Sequence, residues 1–320
     1  METKTIKPLA AFDIEEGRAE RFIGDWPDLN AATGYRWIHL DLRDHSIKRW
    51  AKEHLPEIAA RALCETETRP RCERLHDGMI LNLRGVNLNP GSDPEDMVSL
   101  RLWVSKHAIV SARMRKVWAV DAIRVTAESG SAPITIGRFL AELTYGLTTR
   151  IEAVSFSLEE RTDELEESVS EGRKLASGQL ARLRQAVIKM RRFVNPQREA
   201  IATLASIESW IIAPDELALL RETSNRTRRI VEELDATRDR LSALQDHIDA
   251  DRAHALSRNS YLLSIVAAIF LPLGFLTGLF GVNVAGMPGA AHPAAFAVLT
   301  VACMIFGLAL YVIFRLFKWL

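Results

Sequence analysis

Between Arg258 and Arg315 the chain carries no aspartate, glutamate, lysine or arginine, whereas everything before Arg258 is rich in charge. A bilayer core of about 30 Å takes about 20 apolar residues as helix. Two stretches here qualify: Tyr261 to Val282 and Ala294 to Phe314. Val284 to Pro293, between them, holds two prolines and two glycines, which break helices and make a short loop. The pattern predicts a chain that crosses, turns and returns. A buried hairpin in a soluble core is the competing reading, and two full-length spans side by side weigh against it. Arg252 and Arg258 precede the first span, Arg315 and Lys318 follow the second, and the loop has no lysine or arginine. Basic flanks stay inside, so both ends are expected to be cytoplasmic and the loop external, with Trp319 as an interfacial anchor.

The remainder excludes more than it assigns. Formal net charge is zero, which argues against a nucleic-acid binder. The basic clusters Lys189 to Arg192 and Arg226 to Arg229 have acidic neighbours and read as solvated helix faces. Cys64, Cys72 and Cys303 form no CxxC and no paired framework, which suits a reducing compartment. Cys72 and His76 have a loose metal-like spacing but read as ordinary residues beside a strand. Met1 to Glu15 is polar and charged, unlike a signal peptide. There is no Walker A motif, dinucleotide fingerprint or HExxH. His39, His45, His54, His76 and His107 are scattered, so neither an enzyme nor a permanently bound cofactor is expected.

Residues 1–133 read as an α/β domain. Arg36 to Leu42 alternates like a strand. Met79 to Leu88 and Met97 to Val104 look like two more, joined through the turn signal Asn89-Pro90-Gly91. His107 to Ala112 and Val117 to Val120 look like short strands, and Ile47 to Ala62 like a helix. Residues 134–213 turn helical: Phe139 to Leu175, then Gln179 to Phe193, ended near Asn195-Pro196. The first of these carries the acidic run Glu159, Glu160, Asp163, Glu164, Glu166 and Glu167. It is either a solvated face or a field that attracts cations.

Pro214, followed by Asp215 and Glu216, is a strong helix start. No proline or glycine follows until Pro272 and Gly274, and transmembrane helices tolerate proline. Leu220, Thr223, Thr227, Ile230, Leu234, Thr237, Leu241, Leu244 and Ile248 keep a heptad a/d pattern. Pro214 to Asn283 would be a helix of roughly 100 Å at 1.5 Å per residue. Residues 214–260 would be a stalk, 261–283 the first span, 284–293 the external loop, 294–314 the second span and 315–320 a basic tail. On the first span, Ser257, Ser260, Ser264, Ala267, Leu271, Gly274, Gly278 and Gly281 recur at steps of three and four. This small or hydroxylic stripe suits a pore lining or close helix packing through Gly274-xxx-Gly278, with Leu271 an apolar constriction. Leu262, Ile265, Phe270, Phe275 and Leu279 lie on other faces, suited to lipid or neighbours.

The run Phe270-Leu271-Pro272-Leu273-Gly274-Phe275-Leu276-Thr277-Gly278-Leu279-Phe280-Gly281-Val282-Asn283 resembles the signature of the CorA superfamily of metal-ion transporters. Gly281-Val282-Asn283 is similar to the variant of its ZntB zinc-transporter branch. Arg84 to Met97 and the terminal Phe317-Lys318-Trp319-Leu320 also look like that branch. The resemblance implies a funnel-shaped homopentamer in a bacterial inner membrane. A cytoplasmic α/β/α domain would feed five long stalk helices that continue as pore-lining spans, inside a ring of second spans. It implies Zn2+ as the transported ion, with Ni2+ or Cd2+ as relatives and protons as a coupling ion. Gly281, Val282 and Asn283 would form the filter, where amide and carbonyl oxygens meet a hydrated cation without fixed charge. Magnesium-type members follow the asparagine with Met-Pro-Glu; here the stretch is Met287-Pro288-Gly289, and the loop's one titratable group is His292.

Extended backwards, the stripe reaches Ala253, Ala250 and Asp246, a carboxylate at the cytoplasmic neck, with Asp249 close by. His247 and His254 share a face beside it, and imidazole suits zinc and titrates near neutral pH. Packing at a subunit interface is the competing reading for both histidines. Two alternatives stay open: a Mg2+/Co2+/Ni2+ channel of the same superfamily, and a membrane-anchored coiled-coil scaffold.

Overall fold

The computed structural model describes residues 6–22, 29, 31, 33–173, 175–176, 178–207, 211–281, 289 and 292–316. Two units emerge, residues 1–245 and 246–320.

Among the described residues the first unit is built on seven strands: β1 (Ala10–Glu15), β2 (Arg18–Arg21), β3 (Tyr35–Asp41), β4 (Arg71–Leu75), β5 (Gly78–Gly85), β6 (Val98–Val104) and β7 (Ala108–Arg113). They form one sheet in the order β2-β1-β3-β7-β6-β5-β4. Among the described residues β3 and β7 are its one parallel pair, with Asp41 opposite Arg113 at their ends. The central strands are buried on both faces, so they read as near-continuous apolar runs. The edges are short and charged: Arg18, Glu20 and Arg21 on β2, and Arg71, Glu73 and Arg74 on β4. Charged edges resist pairing with other chains, and their weak alternation hid β2 and β4 from sequence reading.

Helices cover both faces. One core unites Ile38, Leu40, Ile80, Trp103 and Val110 with Ile47 and Trp50 of α1 (Ser46–His54) and Leu63 of α2 (Glu57–Cys64). The other packs Trp37, Leu81, Leu100 and Ile109 under α3 (Trp118–Glu128), α4 (Ile136–Ser170) and α5 (Gln179–Ser206). Three expectations are corrected. Ile47 to Ala62 is two helices, because Leu55 is extended before Pro56, a residue that disfavours helix in its predecessor. Val117 to Val120 is no strand: Val117 is extended and Trp118 begins α3, the usual ambiguity of a four-residue apolar run. The helix from Gln179 does not stop at Pro196 but continues to Ser206. Val187, Met190 and Val194 before the proline and Gln197, Ile201 and Leu204 after it are all buried on one stripe, and this packing outweighs the lost backbone bond.

The last helix to join this unit, α6 (Pro214–Gly281), is 68 residues long. Its heptad positions from Leu220 to Leu244 are buried within the chain itself, and Ile248 is half-buried. This stretch of α6 packs inside the chain: Thr148 of α4 and Thr227 share a 3.2 Å hydrogen bond, Arg226 pairs with Glu152 of α4, and Arg191 of α5 pairs with Asp235. The coiled-coil pattern therefore records intrachain packing.

The second unit comprises α6 from Asp246 onward and α7 (Ala295–Leu316). Of the most apolar window in each helix, 6% of α6 and none of α7 is buried within the chain, so these are not the core helices of a soluble fold.

Candidate ion pathway

The apolar part of α6 presents different faces to different surroundings. Ile265 is buried, and Ile269, Pro272, Leu273 and Leu276 are half-buried. On α7, Leu299, Cys303, Gly307 and Leu310 are half-buried and Phe314 is buried, again at steps of three and four. A methyl group added at Gly307 would stand 3.8 Å from Leu273 Cδ1, which marks where the helices meet. This α7 face escaped sequence reading; its signal was the small residues Cys303 and Gly307 four apart.

Ser257, Ser260, Ser264, Ala267, Leu271, Gly274, Gly278 and Gly281 are all exposed within the chain, Leu271 at 77%. A Cβ added at Gly274, Gly278 or Gly281 would meet nothing within 4 Å. At about 100° per residue the stripe is centred roughly 150° around α6 from the α7 contact. Leu262, Phe270, Phe275 and Leu279 are exposed within the chain, whereas Ile265 is buried. Ser264 Oγ donates to Ser260 O at 3.0 Å, which satisfies its hydroxyl in an apolar setting. Val282 and Asn283 lie outside the described residues.

Asp246, His247, Asp249 and His254 are exposed on successive turns of α6. His247 Nε2 lies 3.6 Å from Asp251, and Asp249 lies 3.5 Å from Arg252. Such exposed pairs contribute little. Among the described residues no three acidic, histidine or cysteine side chains gather as a metal site within one chain. His292 Nδ1 accepts the Ala294 N–H at 3.2 Å, a local role at the start of α7.

The acidic run on α4 is partly neutralised inside the chain. Arg240 pairs with Asp163 and Glu166, each at 2.5 Å; Glu159, Glu160, Glu164 and Glu167 make no ion pair among the described residues. The Glu233 carboxyl on α6 is pushed upward by burial and then by Glu159 and Glu152. His39 is structural: it is buried, its Nδ1 lies 2.8 Å from Ser111 Oγ, and burial drives its pKa down to about 3.

An α/β unit, one helix that leaves it and becomes apolar, and a second apolar helix packed along the first define a membrane protein with two C-terminal spans. The chain belongs to the CorA-like transporter family: the family model described as "CorA-like Mg2+ transporter protein" matches residues 32–316. It is 34% identical over 286 residues to the zinc transport protein ZntB of Yersinia enterocolitica, covering 89% of this chain and 88% of that one. It is 35% identical over 293 residues to the divalent cation transporter CmaX of Pseudomonas aeruginosa, covering 89% and 87%. The solved full-length CmaX structure superposes with a TM-score of 0.82 at 30% identity, covering 98% of each chain. This is a family of transporters, not of enzymes.

Proposed function

We propose that this chain transports Zn2+ across a bacterial inner membrane, through a path enclosed by copies of itself. The observation that carries this reading is the small-residue stripe of α6, left uncovered while α7 occupies the opposite side. Two helices cannot enclose a polar path. Copies arranged with the stripes inward and the α7 helices outward can, and a funnel-shaped homopentamer meets that requirement. Residues 1–213 and the stalk 214–260 are then cytoplasmic, as are both termini, and 284–293 is the external loop. Gly281, Val282 and Asn283 form the filter at the outer mouth. Ser257, Ser260, Ser264, Ala267, Leu271, Gly274 and Gly278 line the path. Asp246, with Asp249, His247 and His254 beside it, supplies ligands only when repeated around the axis. Zinc is favoured by the identity to ZntB proteins; Ni2+ and Cd2+ are related cargo, and protons a coupling ion. A broader divalent-cation reading, Mg2+ included, draws on the family description and on the equally similar CmaX.

Ion flux into proteoliposomes tests this. Zn2+ and Mg2+ are compared, each with and without a proton gradient, for the intact chain and Asn283→Ala. Zinc flux that Asn283→Ala abolishes or deregulates, with assembly intact, supports the assignment. Magnesium flux indifferent to protons favours the second reading. Absence of any metal flux from folded protein overturns both and leaves the scaffold.

A further inference from the structure

The chain leaves the parallel pair β3 and β7 toward opposite faces of the sheet. After β3 it enters α1 and α2, which cover one face; after β7 it enters α3, which covers the other. Connections that part in this way open a crevice beyond the carboxyl ends of the strands, the place where open α/β sheets bind ligands. Here the crevice is an open cleft of about 400 Å³. Arg43, Arg113, Arg115 and Lys116 line it, together with Asn89, Ser92 and one carboxylate, Asp41.

The carboxylate is already engaged: Arg43 donates to it from Nε at 2.9 Å and from Nη2 at 2.5 Å. Lys116 is held in place by Asp121 at 2.9 Å and by the Trp118 ring, whose centroid is 3.9 Å from Nζ. Asn89 Nδ2 donates to the Lys116 carbonyl at 3.1 Å, which ties the Asn87–Asp96 loop to the cleft. Arg113 and Arg115 make no ion pair among the described residues. Arg113 is half-buried, and its Nη1 is shut off from solvent with no hydrogen-bond partner among those residues. The nearby Asp121 and Asp41 carboxylates favour the charged Arg113 guanidinium but do not outweigh its burial, and an anion in the cleft would add to their effect.

We infer that this cleft binds a phosphate group, free or carried by a small phosphorylated metabolite. Unpaired guanidinium groups offer forked donors that match a tetrahedral oxyanion, which a spherical halide cannot use. Ser92 adds a hydroxyl. The volume leaves room for a group attached to the phosphate.

The test uses the full-length protein in detergent with chelator, so that no metal bridges ligand and protein. Inorganic phosphate, adenosine triphosphate and chloride are titrated at constant ionic strength, by calorimetry and by melting temperature. Saturable binding of either phosphate compound, not reproduced by chloride, is expected. Binding should weaken at least tenfold in Arg113→Gln and several-fold in Lys116→Gln. Tighter binding of the nucleotide assigns the source to a phosphorylated metabolite, and tighter binding of inorganic phosphate assigns it to the free ion. Should Arg113→Gln fail to melt cooperatively, Lys116→Gln and the exposed Arg115→Gln decide. No saturation, equal response to chloride, or unchanged affinity in folded variants overturns the site.

Discussion

Gly137→Ala should destabilise the junction between α4 and α6, against the direction that helix propensity gives. Gly137 lies in the first turn of α4, where the beginning of α6 passes close by. A Cβ there would fall inside contact distance of Glu216 Oε2 and 2.7 Å from the Ile211 carbonyl oxygen. Glu216 is poorly placed to retreat. It is only 7% exposed, and it accepts from the Thr135 hydroxyl and, at 2.7 Å, from the Ala213 N–H. That second bond caps α6 in the manner of a capping box, and Thr135 also caps α4 by accepting the Arg138 N–H at 3.0 Å. Alanine gains up to about 1 kcal/mol in propensity. Overpacking costs about 1–3 kcal/mol and a displaced cap about 1 kcal/mol. The net is a loss of about 1–3 kcal/mol. Hydrogen exchange on the full-length protein reads this locally: amides in the first turns of α4 and α6 should exchange about 5- to 150-fold faster. In a Glu216→Ala background the same substitution should cost less than half as much, because the carboxylate no longer fills the space. Slower exchange in Gly137→Ala, or an equal cost in both backgrounds, would refute the reasoning.

Three further outcomes are expected. The unfolded His39 imidazole takes up a proton below pH 6.5, whereas the folded one resists until about 3. The unfolded state binds more protons in that window, so stability is full above pH 6.5 and falls as pH is lowered, by up to about 1.4 kcal/mol per pH unit. Melting curves of the intact chain should therefore lose more between pH 6.5 and 4.5 than those of His39→Asn; parallel losses would count against it. Burial pushes the Cys72 thiol up to about 12, so alkylation at pH 8 should be slow in folded protein and rapid once unfolded, as read by mass spectrometry. Leu271→Ser should raise metal flux several-fold if Leu271 is an apolar constriction, and unchanged flux would remove it from the path.

The covalent pattern already contained the parts of this molecule that obey short-range rules. Pro214-Asp215-Glu216 announces a helix start wherever it stands, because a missing N–H and two carboxylates suit the first turn. The charge-free stretch after Arg258 announces apolar helices, because charge cannot be hidden from lipid. Tertiary structure decided what those rules leave degenerate. Pro196 reads as a stop, yet its helix continues because buried side chains on both sides of it outweigh one lost hydrogen bond. Val117 to Val120 suits strand or helix equally, and the face it covers settled the matter. The edge strands β2 and β4 have almost no apolar signal, since what holds them is a neighbour's ladder. The heptad stripe of α6 specified burial but not the partners, and helices of the same chain supplied them. Arg113, unremarkable in the sequence, becomes a half-buried cation lining a cleft because β3 and β7 lie side by side and their connections diverge. Local chemistry sets which segments are helical, extended or apolar; only the packed chain sets which of their faces meet and which charges line a common cleft.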